Sequence, residues 1–314
     1  MDLGRNVVVS DQLTSSLLVA QARIALARTG IGRADRDMLL AEVAFDHECR
    51  SSLPGRNGEG TSPELFDWYS ADTMSQLRYL WAIIEKMSGE TRSILLGMFS
   101  DILFQCASTG GALTSGGKKR RHHWGWIADN VKPAAPLDHD VVGMFRQWIA
   151  RSALLRPTTK GTSTSCLRGD ARRSDLKSSS VDLIVTSPPY VGMIDYTHAS
   201  RMLYLWMNWS LEEDRASEIG ARYRRRRQHL RTEYLDDMGR SASEMHRVLK
   251  PGCYCAVVLG ESRALAGTAP AALNMISDLM PVVWGPVPRL PSRRRVSDRR
   301  ATDQVEYVAV FEKR

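Results

Sequence analysis

An almost unbroken apolar run, Val181-Asp182-Leu183-Ile184-Val185, leads through Thr186 into Ser187-Pro188-Pro189-Tyr190. No other stretch restricts the fold as much. The run has the β-branched content and length of a strand, and its near-continuous hydrophobicity is that of a strand buried on both faces. Proline fixes φ and has no N–H, so a sheet ladder cannot pass through two in succession. The chain must therefore leave the sheet in a stiff, extended corner. Strands buried on both faces belong to parallel α/β sheets, where ligands gather beyond the carboxyl ends of the strands. The corner is thus the first candidate for a site.

The flanking pattern agrees. Segments 5–11, "RNVVVSD", and 164–170, "TSCLRGD", read as short strands, each ending in a carboxylate, Asp11 and Asp170. "LTSSLLVAQARIALARTG" has helical spacing and closes at Gly30. After the corner, Tyr196–Trp209 and "TEYLDDMGRSASEMHRVLK" read as helices, with Lys250-Pro251-Gly252 as a structural turn. "CYCAVVLG" reads as a central strand, "PAALNMISDLM" as a helix, and "PVVWGPVPRL" and "QVEYVAVFEK" as closing strands. Strands alternating with helices predict an α/β doubly wound sheet. Between them, from about 35 to 153, the pattern is helical throughout. The chain divides on this reading into 1–29, a helical insertion 30–160, and a catalytic part 161–314.

The corner suggests a chemistry. The Pro188 carbonyl has no helical partner and can accept a hydrogen bond; Ser187 offers a second acceptor and Tyr190 a flat ring. Two acceptors and a stacking face suit the exocyclic amino group of a nucleobase. That amine is a poor nucleophile because its lone pair is delocalised into the ring. Acceptors that hold its hydrogens favour the pyramidal geometry of the transition state. A base inside a duplex must first swing out, and stacking on an aromatic ring offsets part of that cost.

"TSPPY" after "VDLIV" resembles the catalytic motif of amino-group DNA methyltransferases that use S-adenosylmethionine. The resemblance implies a methyltransferase-type (Rossmann-like) sheet with a closing antiparallel strand pair, here with "EYVAVFEKR" as its final strand. It implies a catalytic corner of Ser187, Pro188, Pro189 and Tyr190, with Ser187 and Pro188 assigned to the target amine and Tyr190 to base stacking. Ser in the first position is similar to the cytosine-N4 members, whereas Asp or Asn is more usual for adenine N6. Asp170 is implied beside the adenine of the cofactor. Asp195 and Tyr196, in "IDYTHASRMLYLW", are implied to shape the target pocket, with capping of the following helix as the rival reading. The reaction implied is direct displacement from the sulfonium methyl, with no covalent enzyme intermediate and with proximity and orientation supplying most of the rate.

The family also has a Gly-rich cofactor loop after its first strand. "LGRNVVVSDQLTSSLL" resembles the second strand, with Asp11 as its ribose-binding carboxylate. The first strand and its loop are therefore expected before Met1. "GRNGEG" at 55–60 and "TGGALTSGGKK" at 109–119 lack the strand context to replace them. A truncated reading frame, a split enzyme completed by an upstream polypeptide, and a degenerate relative that only binds nucleic acid are the three readings. Truncation is the one expected.

Charge points to the partner. The chain carries a formal net charge of +8 over 314 residues. Its basic residues gather at 118–121, 222–231 and 293–300. Such clusters suit the phosphates of DNA, with RNA an alternative, or else form a solvated surface. Lys118, Lys119, Arg120 and Arg121 lie beside Trp124 in "GGKKRRHHWGW". With Arg224, Arg225, Arg226 and Arg227 they are the candidate nucleic-acid contacts. The helical insertion is the candidate target-recognition region. His122 and His123 lack ligand-spaced companions, so no metal is expected. Cys49, Cys106, Cys166, Cys253 and Cys255 show no zinc spacing and read as reduced thiols. With no signal-peptide stretch and no apolar run of membrane length, the expectation is a cytoplasmic protein. Together these features read as a site-specific enzyme of DNA methylation, of the kind found in restriction–modification.

Overall fold

The computed structural model describes residues 4–44, 62–152, 163–224, 227–261, 265–289 and 305–314. Cys49, the loop at 55–60, Arg225, Arg226 and the basic run at 293–300 lie outside the described residues. In chain order the elements are β1 (Val7–Asp11), α1 (Thr14–Arg28), α2 (Arg33–Ala44), α3 (Ala71–Lys86), α4 (Gly89–Ala107), α5 (Gly125–Ala128) and α6 (Val141–Ser152). Then come β2 (Thr164–Arg168), β3 (Val181–Thr186), α7 (Tyr196–Ala199), α8 (Arg201–Met207) and α9 (Leu211–Ser217). The last are α10 (Leu230–Val248), β4 (Leu249–Glu261), α11 (Thr268–Ser277), β5 (Val282–Arg289) and β6 (Val305–Glu312). The chain forms two compact units, Met1–Arg168 with Thr197–Asp214, and Gly169–Tyr196 with Arg215–Arg314. The helical stretch is thus no separate body: it shares a unit, and a core, with α1.

In the first unit β1 and β2 pair in parallel, Val9 opposite Cys166. Helix α1 buries Leu18, Ala22 and Ala25, and Gly30, at φ +62°, lets the chain leave the helix. Small residues bring α1 and α4 together: a Cβ on Gly97 would stand 2.4 Å from that of Ala22. Around this crossing pack Leu77, Leu80, Leu95, Phe99, Ile102 and Trp206. Trp81, Phe99 and Trp206 meet as tilted and edge-on pairs at 5.0–6.0 Å. Asp214 is buried and satisfied. It accepts from the Thr14 amide, from the Tyr204 hydroxyl and from Arg168, so one carboxylate ties α9 to the start of α1, to α8 and to the end of β2.

In the second unit the strand order is β3-β4-β6-β5. β3 and β4 are parallel, while β6 is antiparallel to both β4 and β5. The expected closing antiparallel pair is therefore present. Alternate residues of β4 and β6, Cys255, Val257, Leu259, Ala309 and Phe311, are buried beneath α10 and α11. The C-terminal end of α10 is capped by Lys313, whose Nζ donates to the carbonyls of His246 and Leu249.

Three expectations are corrected here. The run in β3 is not buried on both faces: Leu183 is 57% and Val185 74% exposed. β3 lies at the edge of its sheet, and β1 at the edge of the other, so among the described residues each has one ladder partner. The α/β elements are thus shared between two sheets. Lys250-Pro251-Gly252 falls within β4 as a bulge against β3, with Gly252 at φ +73°. The helix expected over 196–209 is broken at Ser200 and closed at Asn208, whose φ of +51° is left-handed.

Candidate active site

The corner leaves the carboxyl end of β3, as its prolines require. Ser187 is exposed; Pro188, Pro189 and Tyr190 are half-buried. Two supports hold it within the second unit. The hydroxyl of Tyr234, a buried residue of α10, donates to the Pro189 carbonyl at 3.0 Å. The hydroxyl of Tyr190 donates to Glu306 Oε1 at 2.9 Å, and Arg289 donates to Glu306 Oε2 at 2.7 Å. The ring of Tyr190 lies on Gly260: a Cβ there would stand 2.3 Å from its Cδ2. Among the described residues no donor reaches the Pro188 carbonyl, and the Ser187 hydroxyl makes only a long, 3.5 Å approach to Tyr190.

The loop that follows is stitched to the segment around residue 220. Gly192 N–H donates to the Gly220 carbonyl at 2.8 Å, and Arg222 N–H to that of Ile194 at 3.2 Å. Gly220, at φ +64°, sits against the Tyr234 ring. Asp195 is buried and accepts from the Tyr223 amide at 2.8 Å; the Tyr196 amide donates to Glu218 at 2.7 Å. Asp195 therefore anchors the loop, and Glu218, which the sequence did not single out, caps the start of α7.

Both phenols are shifted upward, away from neutral pH. Burial raises Tyr190, with Glu306 adding to the rise and Ser187 opposing it. Burial is also the main reason that Tyr234 is raised.

The two carboxylates expected at a cofactor belong to different units. Asp11 uses one oxygen on the Leu13 amide at 2.9 Å. Both oxygens of Asp170 are held by Arg172, at 2.7–3.0 Å, and Arg172 also reaches Asp237 at 2.8 Å. Burial alone would raise the Asp170 carboxyl, but the bonds from Arg172 outweigh it and the net shift is downward.

Of the basic candidates, Lys118, Lys119 and Arg121 are exposed on a turn-bearing loop in which Thr114 N–H donates to the Lys118 carbonyl. Arg120 is a correction. It is 2% exposed, donates to the Ala107 carbonyl, and lies over the rings of Trp68 and Trp126 at 5.8 and 5.5 Å. A guanidinium so enclosed cannot meet a phosphate. Trp124 is half-buried and stacks with His123 at 5.3 Å. In the second unit Arg224 is occupied with the Tyr223 hydroxyl and the Ala216 carbonyl, whereas Arg227 is exposed.

No protein-family model matches the chain, and no curated protein matches it. Among solved structures, a candidate DNA modification methylase from Thermus thermophilus is 21% identical over 46% of this chain and 52% of its own, with a TM-score of 0.26. The match thus spans about half of that protein. A SAM-dependent methyltransferase from Methanosarcina mazei is 13% identical over 56% of this chain and 78% of its own, with a TM-score of 0.29. A geranyl diphosphate methyltransferase, solved with GPP and sinefungin, is 10% identical over 94% and 99%, with a TM-score of 0.26. At such TM-scores these likenesses carry no argument. The α/β assignment rests on the strand order and pairing.

Proposed function

We propose that the chain is part of an S-adenosylmethionine-dependent methyltransferase acting on an exocyclic amino group of a nucleobase, cytosine N4 in DNA before other targets. One observation carries this reading: the rigid Ser187–Tyr190 corner offers at one strand end the Pro188 carbonyl, which no donor reaches among the described residues, the exposed Ser187 hydroxyl and the fixed Tyr190 ring. The two oxygens hold the hydrogens of the amine and the ring supports the base. Ser187 in place of an acidic or amide residue favours cytosine. Adenine N6 and structured RNA are the alternatives, and Lys118, Lys119, Arg121 and Arg227 supply phosphate contacts.

When bound, S-adenosylmethionine supplies an electrophilic methyl group. Asp11 fits its ribose, since among the described residues only the Leu13 amide bonds its carboxylate, through one oxygen. Asp170 fits less readily while Arg172 occupies it. This reading leaves the donor's Gly-rich loop outside the described residues, and the edge of β3 that has no partner among those residues is a place where a parallel strand could pair.

The test supplies labelled S-adenosylmethionine with duplex DNA, single-stranded DNA or structured RNA, and measures donor binding by calorimetry. Transfer to cytosine that is lost in Ser187→Ala and Tyr190→Ala is the expected result. Full activity in either variant, or no heat with millimolar donor, would count against it. Transfer to RNA with none to DNA selects the RNA alternative.

A further inference from the structure

The row of residues beneath the Tyr190 ring crosses three strands. Gly260 of β4 is the register partner of Glu306 of β6, and Glu306 is in turn the register partner of Arg289 of β5. The ring lies on the first and its hydroxyl bonds the second, while the third holds the second at 2.7 Å. A tyrosine at the end of a loop is otherwise free to turn about its χ angles. Here the missing side chain of Gly260 sets the depth of the ring, and the carboxylate sets its direction. A carboxylate is the stronger acceptor for a phenol, and Arg289 offsets the cost of keeping it charged beside a half-buried ring.

We propose that Glu306 is the positioning residue of this site: anchored by Arg289, it fixes the Tyr190 ring over Gly260 so that the remaining ring face meets the base. This rests on the reading of the corner as a nucleobase site. Glu306 touches neither base nor donor and acts only through Tyr190.

The test uses the full chain and a short single-stranded DNA carrying one fluorescent cytosine analogue. Wild type, Glu306→Ala, Glu306→Gln and Tyr190→Ala are compared for affinity and for quenching of the analogue. Phenol titration of Tyr190 is followed in parallel, as the difference between each protein and its Tyr190→Phe counterpart. Glu306→Ala should bind about ten- to a hundredfold more weakly, the loss of one hydrogen bond to a charged acceptor, and quench less. Glu306→Gln keeps an acceptor and should bind within about twofold of wild type. In both variants the Tyr190 phenol should ionise at lower pH, because the charge that raised it is gone. A purely structural role would leave the quenching unchanged at constant folded fraction, while the titration reports whether the bond to Glu306 is present. Glu306→Ala that binds and quenches like wild type, while Tyr190→Ala does not, overturns the positioning role and leaves the base site standing. An unmoved phenol titration overturns it as well. Unchanged binding by Tyr190→Ala removes the base site, and this role with it.

Discussion

The Tyr234 hydroxyl donates to the Pro189 carbonyl at 3.0 Å, joining helix α10 to the double-proline corner across 45 residues of sequence. The prolines contribute no N–H of their own, so the corner is held through its carbonyls and its terminal ring. Tyr234→Phe should keep the packing and remove this bond. The expected cost is about 1 kcal/mol in a denaturant titration, with faster amide exchange at residues 191–193. An unchanged midpoint together with unchanged exchange would refute the support.

Gly260→Ala tests the other side of the corner. The new methyl would press on Tyr190 Cδ2 from 2.3 Å, and the ring must leave its seat. Stability should fall by about 1–3 kcal/mol, or less where the ring swings freely into water. In either case binding of the single-stranded probe should drop toward that of Tyr190→Ala. A variant that binds normally would mean that the ring is not used where it now lies.

Burial separates three residues that sequence places side by side. Lys118 and Lys119 are exposed, whereas Arg120 is enclosed between tryptophans. Neutralising both lysines should flatten the dependence of log affinity on log salt by about 1.8 for duplex DNA, or about 0.9 per phosphate contact. Arg120→Ala should leave that slope unchanged and instead lower the melting temperature. A changed slope in Arg120→Ala would contradict the burial.

A pH dependence follows from Glu244. Hydrogen bonds from Arg247 come first, and those from Ser174 join them, to lower its carboxyl from 4.5 to about 2. The folded value lies below the unfolded one, so the contribution is complete above 4.5 and disappears as pH falls toward 2. The Glu244 side chain is only 12% exposed, but its partner Arg247 reaches water, so the effect is modest. Glu244→Gln should flatten the stability curve in that window and leave its shape near neutrality unchanged. Urea titrations at several pH values check it.

Much of the architecture was legible because its signals are local. Helical spacing in α1, α3 and α10, strict alternation in β6, and the prolines of the corner depend only on near neighbours. The partners of the corner were not legible. Glu306 sits among "VEYVAVFE" as one polar residue in an alternating strand, and nothing in that pattern names a tyrosine 116 residues away. Tyr234 likewise looks like one more apolar position on a helix. Arg120 was hidden by its neighbours: a run of four basic residues reads as one charged surface, yet the backbone turns one side chain inward. The exposure of β3 reverses a reading from composition alone. Its residues are those of a central strand, but one edge has no partner among the described residues.

The pairing of Tyr190 with Glu306 also sets an order of assembly. On the ribosome, the double-proline corner emerges long before β6. Until that strand has left the exit tunnel, the ring has no acceptor, and β5 has no neighbour with which to place Arg289. The corner therefore gains this anchor only when a residue 116 positions later has been made. A nascent chain stalled before residue 305 would carry the whole "TSPPY" motif with its tyrosine ring unanchored.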